Sequence, residues 1–152
     1  MKKLLIIFLS LFLFLPAMGE YIPIEKSKSR EYKKEIEQII DSKVPIYKKQ
    51  IIKLFDEFKE EQKQSQLKTD DEYTLLWDEI VFKLYFDLID ITEKYVGKNI
   101  IYEEFGSEDF ADLYYAMKPY FKDNKINTSK INALFKYIKT EHKKLKKIPA
   151  LY

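Results

Sequence analysis

The run 70-DDEYTLLWDEIVFKLYFDLIDITEKYV-96 decides how the rest of the chain is read. Thr69 and Glu72 form a capping-box pattern at its start, with Asp70 and Asp71 in the first turn, where the helix dipole favours acids. Gly97 stands at its end as a left-handed stop. Between these signals, Tyr73, Leu76, Trp77, Ile80, Leu84, Leu88, Ile91 and Tyr95 fall on one arc of a helical wheel. Leu75, Phe82, Tyr85, Phe86, Ile89 and Val96 fall on roughly the opposite arc. A helix apolar on two sides needs neighbours on both, so 70–96 is expected to be the central helix of a bundle.

Outward toward the N-terminus, Tyr32, Ile36, Ile39 and Ile40 make a short amphipathic helix that the proline rule ends before Pro45. Pro45 then suits the first turn of a second helix, whose stripe is Tyr47, Ile51, Leu54, Phe55 and Phe58. That stripe fades into a polar tail, Glu60 to Gln66, expected to project into solvent or fray. Toward the C-terminus, Asn99 to Gly106 reads as a loop, and Ser107 as the cap of a helix with Phe110, Leu113, Tyr114, Met117 and Phe121 inside. Pro119 should kink or end that helix. Thr128 or Ser129 opens a last helix carrying Ile131, Leu134, Phe135, Ile138 and Leu145, which Pro149 ends. With no convincing strand pattern, the expectation is all-α, a bundle of about five helices in a single domain spanning 20–152.

The chain has 152 residues, enough for one domain with a real core. Its first 19 residues have the three parts of a secretory signal peptide: Lys2 and Lys3, the apolar run Leu4 to Leu15, then Pro16, Ala17, Met18 and Gly19. Leu4 to Met18 would make roughly 22 Å of helix against a hydrocarbon core of about 30 Å, short for a span. Cleavage near Gly19 is therefore expected, with a retained N-terminal anchor as the alternative. The product would be exported, periplasmic or secreted, from a bacterium.

Cleavage removes two lysines and no acids, leaving 25 basic and 25 acidic side chains. A neutral mature chain gives no motive for nucleic-acid binding. The absence of Cys excludes disulfides, thiolate metal sites and Cys nucleophiles. With Gly97 and Gly106 the only mature glycines, a Gly-rich phosphate cradle has no residues to be built from.

Chemistry-bearing constellations are few. His142 is the only imidazole, so a His-pair metal site is excluded, and on a basic helix it reads as solvated. Glu79 to Lys83 and Asp90 to Lys94 read as i,i+4 pairs along a solvated edge, with Asp87 the acid nearest the apolar arc. The turn from Asp123 to Leu134 fails as a calcium loop, since Lys125, Thr128 and Leu134 occupy positions that need a ligand, a glycine and a bidentate Glu. No catalytic, cofactor or metal residues are assigned.

Charge is the sharpest remaining feature. Segment 20–70 carries a net +1, 71–117 a net −9 and 118–152 a net +8. The internal explanation is that the basic last helix packs beside the acidic middle of the chain, for a modest, salt-screened gain. The functional one is that Lys136, Lys139, Lys143, Lys144, Lys146 and Lys147 face outward to an anionic surface, a lipid headgroup layer or an acidic envelope polymer. Aromatic residues are abundant; most should be core, with Tyr115, Tyr120 or Tyr137 candidates for a surface patch. The leading expectation is an exported, non-enzymatic helical binding or interaction protein of the bacterial cell envelope, its partner an unknown protein or envelope component. The alternatives are a membrane-peripheral protein held by the basic C-terminal helix, and a small carboxylate-dependent cell-wall hydrolase.

Overall fold

The structure is a computed structural model that describes residues 21–100 and 110–150. These residues form an all-α fold of four helices: α1 (Lys26–Lys63), α2 (Asp70–Val96), α3 (Phe110–Asp123) and α4 (Ser129–Lys144). The expected signal peptide, the Ser107 cap and most of the loop from Asn99 to Gly106 lie outside the described residues.

The helix expected to end at Pro45 does not end there. α1 runs for 38 residues, about 57 Å, with Pro45 inside it. Its buried residues are Tyr32, Ile36, Ile40, Val44, Tyr47, Ile51, Phe55 and Phe58. They recur every three or four positions with no break of phase at Pro45. An interior proline costs about 3 kcal/mol. Burying one large apolar side chain contributes roughly 1.5–3 kcal/mol, and a shared face carries eight of them across the proline. Packing wins, and two expected helices become one.

α2 obeys its local signals. The Thr69 side chain accepts from the Glu72 N–H at 3.2 Å, and Gly97 closes the other end at φ 73°. It runs antiparallel to α1: Phe58 meets Tyr73 at 4.8 Å between ring centroids, Tyr47 meets Asp87, and Tyr32 meets Thr92. α3 packs on α2, bringing Met117 to Thr92 and setting Tyr114 and Phe121 beside Tyr85. It continues four residues beyond Pro119, which therefore does not end it. α4 packs on α1 and runs parallel to its second half, as Lys130 to Asp41, Tyr137 to Phe55 and Glu141 to Lys59 show in sequence. It stops at Lys144 rather than at Pro149, because the next residues leave the helix to serve as a strap.

That strap ties the α1–α2 turn. The Ile148 N–H donates to Lys68 O at 3.1 Å, making an isolated parallel bridge between Thr69 and Ile148. The Gln62 amide exchanges two hydrogen bonds with the Lys146 backbone, donating to its O at 2.7 Å and accepting from its N–H at 3.2 Å. The polar tail of α1 is thus an attachment point rather than a frayed end. At the opposite end of α1 the stretch before the helix also docks: Tyr21 stacks edge-on against Tyr120 at 5.0 Å, and the Tyr120 hydroxyl donates to Ile22 O at 2.9 Å.

Candidate functional site

The densest polar cluster lies where α2 begins and α4 ends. Trp77 Nε1–H, which can only donate, lies 3.0 Å from His142 Nδ1. Nδ1 must therefore accept, which places the ring proton on Nε2, 2.7 Å from Asp70 Oδ1. Asp70 also receives Lys147 Nζ at 2.8 Å. Hydrogen bonds from Lys147 and His142 hold the Asp70 carboxyl below its usual range. Beneath this trio the buried Tyr73 hydroxyl accepts from Gln62 Nε2 at 2.8 Å and from the Lys68 N–H at 3.2 Å, and Lys68 pairs with Glu61.

An Asp–His pair serves as a catalytic base only if the second ring nitrogen is open to a nucleophile. Here that nitrogen is filled by the indole. The cluster consumes both nitrogens of His142 and builds a joint between α2, α4 and the strap. The expectation of a merely solvated histidine is corrected accordingly: the His142 side chain is only 14% exposed.

Glu141, beside it in sequence, is buried against α1. Burial alone would push its carboxyl up, yet Lys144 at 3.2 Å and Lys59 at 3.5 Å together hold it below the ordinary range. A general acid needs a raised carboxyl pKa, and Asp70 and Glu141 both go the other way. Asp87, the acid nearest the apolar arc, accepts the Tyr47 hydroxyl at 2.7 Å. Neither Glu79–Lys83 nor Asp90–Lys94 closes as an ion pair. Among the described residues there is no group of three or more potential metal-ligating side chains, and no helix long and apolar enough to cross a membrane.

The six candidate lysines separate into two sets. Lys136, Lys139 and Lys143 form an exposed stripe on α4 with no ion-pair partner among the described residues. Lys144 and Lys147 are taken by Glu141 and Asp70, and Lys146 enters the strap through its backbone. The basic helix packs chiefly on α1 and meets the segment 71–117 through rings rather than charges, His142 against Tyr73 and Trp77 and Phe135 against Tyr85, while Asp70, outside that segment, takes both Lys147 and His142.

The acidic helix therefore keeps an open side. α1 packs along one arc of α2, where His142 of α4 also meets Tyr73 and Trp77, and on the other side Tyr85 is buried between Tyr114 and Phe121 of α3 and Phe135 of α4. Leu75 remains 69% exposed and Phe86 46% exposed, and they share a face with Phe82, whose ring stacks on Phe86 at 5.9 Å. On α3, Tyr114 and Tyr115 are also exposed and lie 5.5 Å apart, with Tyr114 6.3 Å from Tyr85. Of the three tyrosines expected at the surface, Tyr115 is exposed, Tyr120 is buried, and Tyr137 is half-buried against Phe55 under Lys48. Comparison with family models, curated proteins and solved structures finds no match to this chain.

Proposed function

We propose that the chain is an exported, non-enzymatic helical binding protein of the bacterial envelope, and that it docks its partner on the open side of α2 beside the exposed rings of α3. The observation that carries this reading is the exposure of Leu75 and Phe86 on one helix face while the same helix buries seven residues elsewhere. Exposed large apolar side chains gathered on one face mark interaction surfaces more often than scattered ones do. Export rests on the leader of residues 1–19.

Mass spectrometry of the secreted or periplasmic fraction should find a mature form beginning near Glu20. Recovery of only the full-length chain from the cytoplasm would overturn the export half. For the docking half, Phe86→Ser and Leu75→Ser should leave the fold intact and abolish crosslinking to whatever the mature protein contacts in the envelope. Crosslinks unchanged by both substitutions would overturn it.

The open lysine stripe favours a second reading, adhesion to an anionic surface. Each lysine near an anionic membrane contributes about 1 kcal/mol. Three lysines beside Ala133 and Thr140, with no large apolar side chain to insert, give only weak and salt-sensitive attachment. Liposome co-sedimentation should show it with anionic vesicles at low salt and lose it on changing Lys136, Lys139 and Lys143 to Gln. Equal binding to neutral vesicles would count against it.

A further inference from the structure

The open face of α2 is flanked by one sign of charge. Asp71 lies on one side of the line through Leu75, Phe82 and Phe86, and Glu72, Glu79 and Asp90 lie on the other. All four acids are exposed, and none has an ion-pair partner among the described residues. Lys83 and Lys94 are the only bases of this helix, farther round its surface.

Three occupants can be weighed against this arrangement. A second copy pairing face to face about a two-fold axis would set those four acids against their own equivalents, with two lysines to offset them, an unfavourable juxtaposition. A second copy offering its α4 stripe brings the right charge, but between Lys136, Lys139 and Lys143 it presents only small or polar side chains, leaving Leu75 and Phe86 without an apolar complement. A separate amphipathic helix with large apolar residues along one face and Lys or Arg on both flanks satisfies both demands.

We infer that the partner segment is such a basic amphipathic helix, laid along α2 over the span from Leu75 to Phe86. This rests on the docking reading above. Those residues are eleven apart, about 16 Å along the axis, so three helical turns of a partner cover them. The mode is helix-on-face recognition: apolar anchors give affinity, and flanking charge sets partner choice and on-rate.

The test uses the mature protein and two synthetic 18-residue helical peptides with Leu at the two heptad core positions, one flanked by Lys and the other by Glu. Fluorescence anisotropy should show the Lys peptide binding at least 10-fold more tightly than the Glu peptide at low salt, with the difference shrinking in 0.5 M salt. Phe86→Ser should weaken the Lys peptide at least 10-fold, circular dichroism confirming unchanged helicity. The double change Glu79→Lys with Asp90→Lys should reverse the preference. Equal binding of both peptides, still lost with Phe86→Ser, would overturn the charge assignment while leaving the docking face in place. Binding of neither peptide, or binding indifferent to Phe86→Ser, would overturn both. Sedimentation showing a dimer that Phe86→Ser disperses would assign the face to a second copy instead.

Discussion

Tyr73 and Leu75 are two residues apart on the same helix and live in opposite worlds. Tyr73 is fully buried, with its ring against Phe58 and its hydroxyl holding Gln62 and Lys68, while Leu75 is the most exposed large apolar side chain among the described residues. The difference shows where this helix spends its two apolar arcs. One closes the molecule, through a joint of α1, α2, α4 and the strap. The other is left open at its first turns, because the rings of α3 meet the helix at Tyr85 while Leu75 stays exposed. Closing the fold and presenting an exposed apolar face are thus separable on one element.

The largest expected effect breaks that comparison directly. Tyr73→Ala removes a buried aromatic and its hydrogen bonds, and should cost about 3–5 kcal/mol in denaturant unfolding. Leu75→Ala should stay within about 0.5 kcal/mol of the parent. Similar losses at both positions would mean that the open face is covered in the isolated protein. Next in size is His142→Ala, which leaves the Trp77 N–H and Asp70 without their shared partner. A loss of about 1–2 kcal/mol is expected. Because Trp77 is the only tryptophan, its emission should report the loosening of the joint. The same change should leave peptide binding on the open face untouched.

How much of this was legible differs by element, for physical reasons. The limits of α2 could be read because a cap and a left-handed glycine act within a turn or two of sequence. The continuity of α1 could not, since Pro45 is a strong local signal and the opposing one, the unbroken phase of Ile40, Val44, Tyr47 and Ile51, matters only once α2 is packed against it. The joint was illegible for the same reason: Trp77 and His142 are 65 residues apart, and only the placement of α4 against α2 turns a boundary histidine into a half-buried connector. Charge counting found the polarity of the two halves but not where they meet. Coulomb attraction between exposed groups is too weak to choose a packing face, and the apolar side chains of α4 set it against α1, with His142 and Phe135 reaching α2. The open face, by contrast, was present in the sequence as the second arc of α2, without any sign of which part α3 would leave bare.

The alkaline limb sharpens the same contrast. Burial, and then the hydrogen bond to Asp87, push the Tyr47 hydroxyl up to about 12. Burial also raises Tyr32 and Tyr85 above the ordinary tyrosine value. A raised pKa in the folded state means that the unfolded chain loses its protons first. Stability is therefore intact below pH 10 and falls as pH rises from there through the folded values. Absorbance at 295 nm should show a steep, cooperative rise coincident with loss of helicity. Ionisation of all tyrosines with helicity unchanged would contradict the packing.

The smallest effect lies on the acid side. Lys147 and His142 hold Asp70 below the usual carboxylate range, so its contribution is present above the unfolded carboxylate pKa and is lost as pH falls through the depressed folded value. Asp70 is 60% exposed, and solvent screening cuts such a contribution to a fraction of about 1 kcal/mol. Asp70→Asn should therefore lower stability slightly near neutral pH and leave it nearly unchanged at the acid end, converging on the parent as the carboxyl is protonated. It should also become less salt-sensitive, since the ion pair to Lys147 is gone. A substitution that costs the same at both ends of the pH range would show that Asp70 acts through the geometry of the His142 ring rather than through its charge, and would move the weight of the joint from electrostatics to the Trp77–His142 contact.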